Sequence, residues 1–117
     1  MERLIHLLEA RITNPKLNLF IIGTQKALTS KPDVGDWQSR VRAFENFIES
    51  EKKTSKDQDY LEGLPTVLEA MKGIEGALKG FKAKSYKDWE KVEGIGEMLG
   101  YLDWLTQYLY SPLYSQQ

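Results

Sequence analysis

Apolar residues recur at every third or fourth position along most of this chain, and that rhythm is the period of an α-helix. Trp37, Val41, Phe44 and Ile48 follow at intervals of four, three and four, with Phe47 widening the stripe. Leu64, Val67 or Leu68, Met71, Ile74, Leu78 and Phe81 keep the same spacing. So do Trp89, Val92, Ile95 or Gly96, Leu99, Leu102, Leu105 and Leu109. A shorter stripe, Leu4, Ile5, Leu8 and Ile12, precedes them. With 117 residues, 41% of them hydrophobic, the chain has room for one domain and one core. The expected fold is all-α: a single helical domain over 1–117, built as a four- or five-helix bundle whose short connections make sequential helices antiparallel neighbours.

Local punctuation divides the stripes. After a helix over 2–12, Asn14-Pro15 ends one element and starts another, with Asn14 as cap and Pro15 at the first helical position. The second helix is expected over 15–29. Its run Leu17, Leu19, Phe20, Ile21, Ile22 also fits a short buried strand; the Asn-Pro start and the absence of a partner strand favour the helix. The turn cluster from Lys31 to Asp36 leads to a third helix over about 36–53, with Asp36 as its cap. Glu51 to Asp57 is polar and reads as a loop. Pro65 suits the first turn of a fourth helix over about 65–81. Ser85-Tyr86-Lys87-Asp88 resembles a capping box, opening a fifth helix from 86 to about 110, which Pro112 stops. The tail 112–117 is expected to fray.

Composition removes several function classes. There are 16 Lys+Arg against 17 Asp+Glu, a formal net charge of -1, so bulk polycation binding to nucleic acid is excluded. Cysteine is absent, and with it go disulfides, Cys-ligated zinc, iron–sulfur clusters and thiol nucleophiles. The single histidine, His6, sits one helical turn from Glu2 and Glu9 and reads as a surface residue with carboxylate neighbours. No metal site, cofactor or catalytic constellation is expected. Glu45 with Glu49, and Glu90 with Glu93, have the spacing of a solvated helix face. The start of the chain lacks a signal-peptide pattern. The longest apolar run, Leu19 to Ile22, is far short of the roughly 20 residues that cross a bilayer. The expected location is cytoplasmic, with no membrane partner.

Seven of the nine glycines lie between positions 63 and 100. An interior helical glycine costs about 1 kcal/mol against alanine, so the concentration needs a reason. One reason is a seam: with the fourth and fifth helices antiparallel, Gly73 falls level with Gly94 and small residues let the backbones approach. The other is that a helix breaks at its glycines.

The segment from Ser85 to Gly100 carries the most specific pattern. Trp89 and Val92 are apolar on a capped helix, Gly94-Ile95-Gly96 follows, and Gly100 is the small residue four further on. Over 85–104 this resembles the helix-hairpin-helix motif of DNA-binding proteins. The resemblance implies a hairpin at 94–96 whose backbone N–H groups contact a phosphate, with Gly94 and Gly96 as anion-binding positions. Lys79, Lys82, Lys84, Lys87 and Lys91 would add cationic side chains. The pattern departs from the family after the hairpin, where Glu97 and Met98 replace the usual basic residues. No Lys or Arg occurs from 92 to 117. One continuous helix through the glycines is the favoured reading, and nucleic acid is not the expected partner.

The last helix has a second apolar face, Tyr101, Trp104 and Tyr108, with Met98 above it. Such a helix is buried on more than one side: it lies centrally in the bundle, or it meets another chain. Tyr110, Leu113 and Tyr114 lean toward an interface, where Tyr and Trp are favoured. The expected function is a non-enzymatic protein–protein interaction module, an accessory, adaptor or inhibitor subunit. Tyr101, Trp104, Tyr108 and Tyr110 are its contact residues, and its partner is another protein or a second copy in a homodimer. The alternative is a nucleic-acid-associated factor using the 94–96 turn and the lysines at 79–91.

Overall fold

A computed structural model describes residues 14–110. The expected helix over 2–12, His6 with Glu2 and Glu9, and the tail with Leu113 and Tyr114 lie outside the described residues, as does the Tyr110 side chain. The fold is all-α. Helix α1 spans Pro15–Ala27, α2 Val34–Thr54, α3 Gln58–Leu78 and α4 Ile95–Thr106. Two 3-10 segments, Tyr86–Lys91 and Gln107–Tyr110, precede and follow α4. There is no strand among the described residues, so 17–22 is helical. No described helix is long and apolar enough to cross a membrane.

Caps set the helix starts. The Asn14 side chain accepts from the Leu17 N–H at 3.0 Å, and Pro15 takes the first helical position, where its missing N–H costs nothing. Helix α2 starts two residues before the expected point: Asp33, not Asp36, is the cap. Asp36 instead sits in the first turn and pairs with Arg40 at 3.1 Å. Helix α3 starts at Gln58, with the Asp57 carboxylate accepting from the Tyr60 N–H at 3.2 Å. Pro65 is therefore inside a helix rather than at its first turn. An interior proline costs about 3 kcal/mol. Tyr60 and Leu64, both buried in the turn and a half before it, supply the packing that carries the helix through. The chain leaves α3 at Leu78, and Gly80 turns it at a φ of 80°.

Residues 51–57 are not a loop. Helix α2 runs on to Thr54, and only 55–57 connect it to α3. The reason is Glu51, which is fully buried. Its Oε1 accepts from Asn14 Nδ2 at 2.6 Å and from the Tyr60 hydroxyl at 2.7 Å. Asn14 Nδ2 also donates to the Tyr60 oxygen at 3.2 Å. One polar knot thus ties the start of α1, the end of α2 and the start of α3. A buried carboxylate is tolerated only when hydrogen-bonded in this way.

Helices α2 and α3 are antiparallel and share the densest part of the core: Trp37, Phe44, Leu64, Val67, Met71 and Ile74. The Trp37 indole N–H donates to the Met71 carbonyl at 2.8 Å. Trp89, whose ring centroid lies 5.4 Å from that of Trp37, donates to the Ser30 carbonyl at 2.7 Å. Helix α1 packs through Leu17, Ile21, Thr24 and Ala27 and leaves Leu19 and Ile22 exposed.

The continuous helix over 86–110 is not formed. The Ser85–Asp88 capping box is present, with the Ser85 hydroxyl accepting from the Lys87 N–H at 3.3 Å. It opens only the short 3-10 segment. Gly94 then adopts a φ of 92°, a left-handed conformation that glycine reaches without steric cost. Helix α4 starts after it. Leu102, Leu105 and Leu109 are buried as the spacing predicts, but Met98, one turn before Leu102 on the same face, takes the core position expected for Leu99, which is 51% exposed.

Candidate interaction groove

Helix α4 lies antiparallel to α3, and the contact between them is uneven. At Gly63 it is as close as the chain allows. A Cβ built there would stand 2.7 Å from Trp104 Cζ2, inside any real contact distance, so the indole rests directly on the α3 backbone. Edge to face with it at 5.0 Å lies Tyr108, whose ring is 4.9 Å from Tyr60. Tyr108 is thereby part of the bundle's own cover. Burial raises its phenol above the ordinary value, with the Asp57 and Asp59 carboxylates adding to the effect.

Beyond Trp104 the two helices part. A furrow of about 470 Å³ opens, lined by Gly63, Thr66, Glu97, Gly100, Tyr101 and Trp104. It continues into a second recess of about 470 Å³, reached past Thr66, Glu97 and Tyr101 and ending at Gly73 and Gly94. The glycines account for the opening. A Cβ at Gly73 or Gly100 would meet nothing within 4 Å, and one at Gly94 would meet only Ile74 Cγ1 at 3.6 Å. The expected seam of close approach at Gly73 and Gly94 is thus absent. Small side chains leave space unfilled there, while the one close approach falls at Gly63, where an aromatic ring fills it.

Of the expected contact residues, Tyr101 and Trp104 line the furrow and are partly buried. Tyr108 stands behind Trp104, against Tyr60. Met98, expected above the aromatic face, is fully buried in the core, one helical turn before Leu102 on the same face. Gly63, Thr66, Glu97 and Gly100 complete the furrow. The excess of glycine in 63–100 was the signal for them, but which glycine faces which helix depends on the phase of α4.

Lys79, Lys82, Lys84, Lys87 and Lys91 are all exposed along 79–91. Lys79 lines a different furrow, between α2 and α3, together with Glu45, Lys72 and Glu75. Lys91 pairs with Asp88 at 3.5 Å. Gly94 and Gly96 sit between the exposed carboxylates Glu93 and Glu97. The Asp88 carboxyl lies below its ordinary value because it accepts from the backbone N–H groups of Lys84 and Ser85. Of the carboxylate pairs, Glu45 binds Lys72 at 3.7 Å and Glu49 binds Lys52 at 3.1 Å, as on a solvated surface.

Compared with protein-family models, with curated proteins and with solved structures, the chain gives no match in any of the three.

Proposed function

We propose that this is a non-enzymatic protein–protein interaction module, acting in the cytoplasm as an accessory, adaptor or inhibitor subunit, and that the α3–α4 furrow is its contact surface. One observation carries the reading. Tyr101 and Trp104 form the wall of an apolar furrow that Gly100 leaves open to a side chain. Aromatic side chains beside an unfilled apolar recess are the composition of interface centres, where a few large anchors supply most of the binding energy.

Light scattering after size exclusion, over a tenfold range of concentration, reads self-association; a pull-down reads association with another protein. The substitutions Tyr101→Ala and Trp104→Ala together are expected to remove whichever association exists while the chain stays folded. If the pair melts the chain and leaves association untouched, the aromatic face serves the core and the reading is lost.

The nucleic-acid reading retains one favourable observation. Gly94 breaks the chain between a capped short helix and α4, as a hairpin would. It predicts binding of a short DNA duplex that weakens steeply with salt. No mobility shift at low salt would remove it. Glu93 and Glu97, exposed on either side of the turn, oppose a phosphate there.

A further inference from the structure

We propose that the α3–α4 furrow receives a basic amphipathic helix of a partner protein. This rests on the interaction-surface reading above and adds the chemistry of the occupant.

Shape gives the first part. Two antiparallel helices with an open furrow between them form a seat into which a third helix can lower its own ridge of side chains. The furrow runs from Gly63 and Trp104 at one end to Gly73 and Gly94 at the other. Ten residues of helix span roughly 15 Å, so the seat holds about three turns. Tyr101 and Trp104 offer an apolar wall to the occupant's apolar face.

Charge gives the second part. Glu69, Glu93 and Glu97 line the furrow, all three exposed. None of them makes an ion pair among the described residues, whereas Glu45, Glu49 and Asp36 elsewhere on the surface do. No Lys or Arg lines either half of the furrow. An apolar trough edged by unpaired carboxylates complements a helix whose apolar stripe is flanked by Lys or Arg. Their aliphatic stems would lie over the walls while the charged ends reach the glutamates.

The test uses two synthetic helical peptides of equal length and helicity, with the same Leu/Ala face flanked by Lys in one and by Glu in the other. Each is labelled and titrated with the full chain, and anisotropy is read. The Lys peptide is expected to bind, to weaken as salt is raised, and to exceed the Glu peptide by about tenfold or more. Glu69→Gln, Glu93→Gln and Glu97→Gln together should weaken it by about tenfold. Gly100→Phe fills the furrow from a position open to a side chain and should abolish binding. Both variants should melt no lower than the parent.

Equal binding of the two peptides, or binding that survives the three Gln substitutions, overturns the charge assignment and leaves the interaction surface standing. Binding that survives Gly100→Phe lies elsewhere and overturns the proposal. So does the absence of binding up to about 1 mM peptide, the weak end of specific association. A stable dimer that Gly100→Phe turns into a monomer makes a second copy the occupant, which overturns the basic helix but supports the surface.

Discussion

Trp37 and Trp104 both stand against α3, from opposite neighbours. Trp37, on α2, is completely buried and donates its indole N–H to a carbonyl of α3 at 2.8 Å. Trp104, on α4, is partly buried, rests on the bare backbone of Gly63 and edges an open furrow. One ring closes an interface and the other leaves one ajar. The difference lies in what surrounds each ring. Around Trp37 the neighbours include Met71 and Trp89, large enough to fill space. Around Trp104, Tyr108 covers one edge, but on the furrow side Gly63, Thr66 and Gly100 are too small to fill it. Large aromatic residues alone therefore do not distinguish core from surface; the small residues beside them do.

The comparison is most directly broken at the sealed ring. Trp37→Ala should cost about 3–5 kcal/mol in urea unfolding, from lost burial, a cavity and the lost indole hydrogen bond to the Met71 carbonyl. Trp104→Ala should cost roughly half as much, since one side of its ring has little to lose. Equal costs would show that both rings are sealed. Gly63→Ala sharpens the contrast. The added methyl displaces the Trp104 ring, an overpacking cost of about 1–3 kcal/mol set against a helix-propensity gain of about 1 kcal/mol. In the Trp104→Ala background the same substitution should become stabilising, and a double-mutant cycle by urea unfolding measures the coupling. Gly100→Ala, at a helical site open to a Cβ, should stabilise by about 0.5–1 kcal/mol in the same assay.

The smallest effect lies in acid, away from both rings. The Asp88 carboxyl titrates below the ordinary 3.8 because backbone N–H groups hold its charged form. A depressed carboxylate contributes stability above its unfolded value and loses it as pH falls through the folded one. Asp88→Asn should lower the melting temperature slightly at neutral pH, where the carboxylate contributes, and converge with the parent below about pH 4, so that the acid limb of a thermal-melt series is flatter.

Much of the bundle could be read from spacing. Trp37, Val41, Phe44 and Ile48 are buried on one face of α2, and Leu64, Val67, Met71, Ile74 and Leu78 on one face of α3, because a helix repeats its face every 3.6 residues whatever it packs against. The Asn14 and Ser85 caps were equally local: a short polar side chain beside exposed N–H groups needs no distant partner. The same locality explains the misses. Pro65 marks a stop only if nothing else holds the helix, and the burial of Tyr60 and Leu64 does. Glu51 reads as loop polarity until Asn14 and Tyr60, 37 and 9 residues away in sequence, close on it.

The aromatic residues of the candidate surface, Tyr101, Trp104 and Tyr108, were visible in the sequence as a second stripe on the last helix. Their division into roles was not. Gly94 could be glycine inside a helix or glycine at a break, and only tertiary packing, with Val92 and Met98 both drawn into the core, selects the left-handed turn. With α4 packed after that turn, Met98 faces the core and Leu99 the solvent, and Trp104 lies across Gly63 beside the open furrow at Tyr101. Sequence by itself determined that the chain is helical and which apolar stripes its helices carry, since both follow from local sterics and periodicity, but not that α3 begins at Gln58 or that 86–110 is broken at Gly94. The tertiary structure decided which faces meet and which gap stays unfilled, because that depends on the phase between helices brought together from distant parts of the chain.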